Sequence, residues 1–440
     1  MAQVSLLRTE AEQRIAAEWA SAKARLPGPA GLREAAFRRF EANGLPHRRI
    51  EEWKYTDLRT LMREAKPLAQ SPDRAARERA RNAGGLLTDI EARRLVFVNG
   101  AFAPDLSDLA AIEPGLKISS LGDALSRGDA DVSVRLGAAS AADNDVGYAL
   151  NTAFMADGAV IDVAPGATIA RPIHLVFAFV GDPAAVFVRS LVTVGAGATL
   201  TLIESHEGPD NADYQVNTAI DLIVGDAAKV ERVMVGTQGR SALHVVTLTA
   251  ALGRAVDFRD FAFTTGGAVV RNQLFVRCNG ADTALGLSGA TLLAARQHAD
   301  TTMVVDHAVG GCRSREVIKS VLDGQSRSVF QGKIIVRPDA QKTDARMLSN
   351  ALMLSPDAEA DNKPELEIFA DDVQCGHGAT AGSIDEDLKF YLMARGIPAA
   401  QAEALLIQSF VGEAIDLVTH EGVREALSAA VLRWLQARGV

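Results

Sequence analysis

A short phrase recurs through the middle of this chain: a β-branched or aliphatic run, a turn of small residues, then another such run. It reads Val163-Ala-Pro-Gly-Ala-Thr-Ile169, then Val194-Gly-Ala-Gly-Ala-Thr-Leu200, then Val224-Gly-Asp-Ala-Ala-Lys-Val230. The intervals are 31 and 30 residues, and later turns at Leu252-Gly253-Arg254 and Cys278-Asn279-Gly280 follow a little under that spacing. A drifting period of this size with strand–turn–strand content points to stacked rungs, each burying its inward side chains only against its neighbours. A large β-sandwich is the alternative, and it would not return the turn phrase so regularly. Aromatic residues are only 5% of the 440, and a core of small and β-branched side chains suits tightly stacked strands. The expected fold is mainly β, with a β-solenoid core over 145–382.

The flanks have helical text. Leu6 to Ala20 and Leu32 to Ala42 are separated by Pro27 and Gly28. Arg74 to Arg81 reads as an exposed helix or linker, and Leu95-Val96-Phe97-Val98-Asn99-Gly100 as a strand ending in a turn. Residues 1–95 are therefore expected to be helical and 96–144 to be a connecting segment with the first strands. From 383 to 440 the chain is helical again. Ser383-Ile-Asp-Glu386 fits a capping box. Leu388, Tyr391 and Leu392 share a face, and Gly396 and Pro398 close that helix. Ile407, Val411, Ala414, Ile415 and Val418 repeat at helical spacing, as do Val423, Leu427, Val431, Trp434 and Leu435. Such stripes are either packing, among the helices and against the end of the solenoid, or a docking surface.

A net charge of −9 argues against nucleic acid or an anionic membrane as the main partner. Three cysteines far apart do not make a disulfide framework and fit a reducing cytosol. The N-terminus lacks the apolar run of a signal peptide, and no window could span a membrane. The expected location is cytoplasmic.

The chemistry gathers near residue 375. Cys375 and His377 are two positions apart, so on an extended segment both face one side, and Gly376 and Gly378 remove side chains around the histidine. The pair is either a metal site or a buried thiol beside a histidine hydrogen-bonded in a glycine-rich turn. Asp371 and Asp372 point to opposite faces and are read as turn hydrogen-bonders rather than an acid dyad. Gly332-Lys333 is followed by Ile334 and lacks the glycine of a phosphate-binding loop, so any nucleotide hydrolysis belongs to another chain. His307, beside Asp306 and five residues before Cys312, is the other local cluster, and neighbouring rungs could bring it near a metal; Cys278 and Cys312 lack ligand spacing and are read as structural.

Three stretches carry a resemblance over most of the chain: Glu51-Glu52-Trp53-Lys54-Tyr55-Thr56, Gln341-Lys342-Thr343-Asp344-Ala345 with Asn350 and the Leu352–Ser355 run, and Ala370 to Thr380 followed by Phe390-Tyr391-Leu392 and Arg395-Gly396-Ile397. In this order they resemble the SufB/SufD family, scaffold subunits of the SUF iron–sulfur cluster assembly system. SufB reads Glu-His-Glu-Ala-Thr where this chain has Gly376-His377-Gly378-Ala379-Thr380, so the resemblance is to the SufD side. It implies a right-handed parallel β-helix and a non-catalytic scaffold that pairs with a SufB-like chain through the end of the helix. It implies C-terminal helices that dock a SufC-like ATPase, and a transient Fe–S cluster at the SufB interface with His377 as a ligand and Cys375, second in rank, as an extra ligand or a sulfur relay group. Reduced flavin is linked with such complexes, and no stretch of this sequence locates a site for it. Two other readings are a β-helix glycan-processing enzyme, which the missing export signal and aromatic groove disfavour, and a stand-alone homodimeric metal-binding scaffold.

Overall fold

The computed structural model describes residues 8–136, 138, 142 and 144–438. Its helices are α1 (Glu10–Ala22), α2 (Ala30–Asn43), α3 (Leu58–Leu61), α4 (Arg74–Arg79), α5 (Leu121–Ser126), α6 (Ala130–Arg135) and α7 (Val146–Phe154), then α8 (Glu386–Ala394), α9 (Ala399–Ile415) and α10 (Glu421–Arg438). The strands are β1 (Arg93–Val98), β2 (Ala101–Phe102), β3 (Leu116–Ser120), β4 (Ala159–Val163), β5 (Ile173–Ala178), β6 (Ala185–Val194), β7 (Thr199–Glu207), β8 (Gln215–Val224), β9 (Lys229–Thr237), β10 (Leu243–Leu252), β11 (Asp257–Thr264), β12 (Val269–Cys278), β13 (Ala284–Leu293), β14 (His298–His307), β15 (Arg313–Leu322), β16 (Arg327–Val336), β17 (Asp344–Met353), β18 (Glu359–Ile368) and β19 (Gln374–Gly382).

From β4 onward successive strands alternate between two sheets. Even-numbered strands with β3 form one sheet of nine, and odd-numbered strands with β1 and β2 form the other, of ten. Pairing is parallel except where β2 and β3 close the N-terminal edge antiparallel. The result is a mainly β solenoid of about eight turns, flanked by helices at both chain ends. From β4 onward, in-register parallel partners lie between 26 residues apart (Leu243 and Val269) and 32 apart (Arg327 and Glu359).

The recurring turn phrase is a corner of this solenoid. Gly166, Gly197, Ala227, Ala255, Asp282, Gly311 and Lys342 all stand there at positive φ. Each donates its N–H to the next corner down: Gly197 to the Asp226 carbonyl at 2.7 Å, Ala227 to Arg254 at 2.7 Å, Gly311 to Gln341 at 2.9 Å, Lys342 to Asp372 at 2.7 Å. The corner needs a left-handed residue, which explains its glycines. The ladder holds alanine, aspartate and lysine in the same conformation.

Leu, Val, Ile and Ala fill the interior, among them Leu200, Leu222, Leu248, Val276, Val305 and Ile334, all nearly or fully buried. Each such side chain is worth roughly 1.5–3 kcal/mol of burial. The two outer faces are covered separately. The nine-stranded sheet lies under the N-terminal region, where Trp53 and Leu58 pack on Leu243 and Val245. There Arg189 is wholly buried, paired with Asp221 at 2.9 Å and stacked 3.9 Å from the Tyr148 ring. The ten-stranded sheet lies under α9 and α10, where Ile407, Val411, Leu427 and Val431 meet Val233, Val235, Phe261 and Phe263.

Several local expectations change. Residues 6 and 7 lie outside the described residues, and α1 begins at Glu10 because Thr9 and Glu12 form a reciprocal capping box. Arg74–Arg79 is the helix of the two alternatives and exposes most of its residues, but it is docked: Ala76 and Ala80 are buried against Val96 and Val176. The rungs do not begin at 145, where Asp145 caps α7 through the Tyr148 N–H, and the strand β1 already belongs to the ten-stranded sheet. Ser383 does not cap α8. Asp385 does, accepting from the Asp387 and Leu388 N–H groups at 2.9 and 3.0 Å. The C-terminal stripes pack on the side of the solenoid, not its end, because the open apolar surface there is a sheet face. No helix among the described residues is long and apolar enough to cross a membrane.

Candidate functional site

The Cys-x-His pair lies on β19, the last strand of its sheet, and not in a glycine-rich turn. Cys375 is in register with Ala345, and His377 with Met347, both of which face the interior. The two side chains thus continue the inward column at the open end of the solenoid. Cys375 is half-buried against the core, whereas His377 is exposed, and no hydrogen bond among the described residues holds its ring. The alternative of a histidine pinned to backbone is therefore not what the fold builds. Burial pushes the Cys375 thiol up, the Ala345 backbone offsetting part of that, so an incoming ion or partner would be needed to favour the thiolate. A side chain at position 376 would meet nothing within 4 Å, so the chain's own packing does not require this glycine.

The other two signature stretches converge on this end. Gln341, Lys342 and Thr343 form the corner of the preceding rung: the Asp372 N–H donates to Gln341 Oε1 at 2.9 Å, Lys342 pairs with Asp372, and the Gln374 N–H bonds the Thr343 carbonyl at 2.8 Å. Asp372 is thus a turn residue, tied to the previous rung. The Glu51–Thr56 stretch is far away in sequence, yet it straps the nine-stranded sheet. Trp53 Nε1 donates to Asp145 at 2.8 Å, the Arg271 guanidinium lies 3.8 Å from the Trp53 ring and donates to the Glu52 carbonyl at 2.7 Å, and Glu51 pairs with Lys363 on β18. Nothing local in Glu51–Thr56 announces that it buttresses the terminal strand, because these contacts lie more than 90 residues away along the chain.

Cys278 and Cys312, which lack ligand spacing along the chain, are buried together with His307, the ligand atoms of all three within 4.8 Å of one another. Cys278 and His307 are register partners at the ends of β12 and β14, and Cys312 is on the corner that follows. A hydrogen bond between the two thiols, with His307 beside them, brings the Cys312 thiol down to about 5 and sends Cys278 up. Strand register, which no linear motif encodes, assembles this trio.

Beyond the last rung, α8 buries none of its residues. Leu388, Phe390, Tyr391 and Met393 are 52%, 72%, 54% and 44% exposed, so its apolar face was legible but its partner is not the chain's own core.

Family models cover both halves of this architecture: the SufBD core domain of SUF system FeS cluster assembly matches residues 177–410, and the SufBD protein N-terminal region matches 22–175. An iron–sulfur cluster assembly SufBD family protein of Synechocystis is 32% identical over 85% of this chain and 84% of its own length. The iron–sulfur cluster assembly protein SufD of Escherichia coli is 29% identical over 88% of this chain and 89% of its own, and that of Bacillus subtilis 27% over 65% and 66%. With its rungs, its terminal Cys-x-His strand and its strapped edge all inside the matched regions, the chain belongs to the SufBD family of iron–sulfur cluster assembly proteins.

Proposed function

We propose that this chain is the SufD-like, non-catalytic scaffold subunit of a cytoplasmic SUF assembly complex. The observation that carries the reading is the placement of His377 and Cys375 on one face of β19, at a rung whose outer edge no strand among the described residues covers. A SufB-like chain would pair with that edge, and the nascent iron–sulfur cluster, as cargo, would form between the two. An exposed neutral imidazole can ligate iron, and histidine takes a cysteine's place in some cluster types. Cys375, half-buried beside it, is the second donor. Reduced flavin elsewhere in the complex would supply electrons.

The apolar face of α8 is the docking surface for a SufC-like ATPase in this reading. Movement of the ATPase pair on ATP binding would pull on the C-terminal helices and open the scaffold edge to iron and sulfur. The family resemblance and the exposure of Leu388 and Phe390 support it.

The test is cluster reconstitution on the complex co-purified with SufB-like and SufC-like partners, His377→Ala against the unsubstituted chain, read by iron content and visible absorption. The expected result is an intact complex with collapsed cluster yield. Normal yield would reduce this subunit to assembly and ATPase docking. A stable homodimer of the isolated chain, holding iron through His377, would favour a stand-alone scaffold instead.

A further inference from the structure

The positions that form the buried trio have a different character in the rungs around them. Along one column the register runs Leu252, Cys278, His307, Val336, Ile368. Leucine, valine and isoleucine are what an apolar interior asks for, and the cysteine and histidine interrupt them. Along the adjacent corner, the residue equivalent to Cys312 is Thr283 one rung before and Thr343 one rung after, as the bonds from Arg313 N to Thr283 O and from Asp344 N to Cys312 O fix. Each threonine ties the corner with its hydroxyl, Thr283 to the Gly253 carbonyl at 2.6 Å and Thr343 to Ala340 at 2.8 Å. Cys312 occupies the same place with a weaker bond, 3.5 Å to the Gly280 carbonyl. Packing alone would favour threonine there, so the thiol needs another explanation.

A second observation comes from groups left without partners. His307 is wholly buried; its Nε2 lies 3.2 Å from Ser314 Oγ, while its Nδ1 has no hydrogen-bond partner. Glu316 is also wholly buried, in register with apolar Leu287 and Met347, and neither carboxylate oxygen is in bonding geometry. Buried polar atoms left without partners destabilise a fold. Their concentration beside two thiols marks a place built for something polar.

We propose that Cys278, His307 and Cys312 bind one thiophilic divalent ion, Fe2+ or Zn2+, inside the solenoid. Two sulfurs and an imidazole nitrogen are a donor set for such ions. Bound as thiolates, the two cysteines cancel the charge of the ion, so no net charge enters the apolar interior. Ligand atoms within 4.8 Å of one another need to close by ~1 Å to reach tetrahedral bond lengths. Three protein ligands leave a fourth position for water or sulfide, unlike a closed structural site. The trio is separate from Cys375 and His377, so this site stands or falls independently of the scaffold reading.

The test uses the full chain alone, reduced and stripped of metal, titrated with Co2+ as a spectroscopic probe and then with Zn2+ or anaerobic Fe2+. Expected is one Co2+ per chain with thiolate-to-cobalt charge-transfer absorption, displaced by either ion. Cys278→Ser and Cys312→Thr abolish that absorption, while His377→Ala and Cys375→Ser retain it. Cys312→Thr restores the hydroxyl of the neighbouring corners and keeps the fold, so it decides the matter if Cys278→Ser does not fold. No stoichiometric cobalt binding, a band that persists in Cys312→Thr, or one lost only with Cys375 and His377, overturns the proposal.

Discussion

At the scale of single residues, the corners and the buried ion pair make the sharpest claims. Gly197 and Ala227 occupy equivalent left-handed corners, and nothing lies within 4 Å of where a Cβ at 197 would stand. Only backbone strain therefore separates the two side chains. Gly197→Ala should cost about 1 kcal/mol and Ala227→Gly should stabilise by a similar amount, read as opposite shifts in the urea midpoint. The Arg189–Asp221 pair is bound more tightly: Asp221 also accepts from Tyr148 Oη at 2.8 Å and Thr249 Oγ1 at 2.7 Å. Asp221→Asn leaves a buried guanidinium without its counter-charge and should cost about 3–5 kcal/mol in the same assay. The legibility of the two cysteine sites divides along physical lines. Cys375 and His377 were readable because a strand's two-residue period is local. Cys278 reaches His307 only through strand pairing across a whole rung, and Glu316 gives no sign in the sequence of being buried.

At the scale of elements, the recurring phrase showed the strands because it is the corner itself, repeated wherever the chain must turn left-handed. Helix starts were less legible. Ser383 and Asp385 both suit an N-cap, and only the backbone path into α8 selects the carboxylate. Asp385→Ala should therefore destabilise that helix by about 1 kcal/mol, and Ser383→Ala should not, as hydrogen exchange in α8 would report. The spacing of α9 and α10 likewise declared an apolar face without declaring which surface receives it. For α8 the expected outcome is a split between stability and binding. Leu388→Ser with Phe390→Ser should leave the melting temperature unchanged and weaken capture of the SufC-like ATPase. A lowered melting temperature would mean that these residues serve the fold instead.

At the scale of the whole molecule, the solenoid places many titratable groups where water does not reach. Burial, with repulsion from Arg94 and His206, brings His174 down to about 3, and burial holds His244 well below its ordinary value. Both are neutral in the folded state, while the unfolded chain protonates them below about pH 6.5. Their contribution is complete above that pH and shrinks as pH falls toward the folded values, by about 1.4 kcal/mol per pH unit for each histidine. The urea midpoint should fall between pH 7 and about pH 5, and His174→Gln should reduce the fall.

The uncovered strands β18 and β19 have a further consequence. Each rung of a solenoid is a template for the next, and evolution usually finishes such a stack with a polar cap. Here no strand among the described residues pairs with the outer edge of the last rung, and Ile368 and Phe369 are 41% and 58% exposed beside it. Copies synthesised in excess of whatever covers that rung carry a ready surface for strand-to-strand growth. If a partner chain covers that edge, as proposed, its amount and that of this chain must be matched at synthesis, because an exposed strand edge makes surplus chains prone to aggregate.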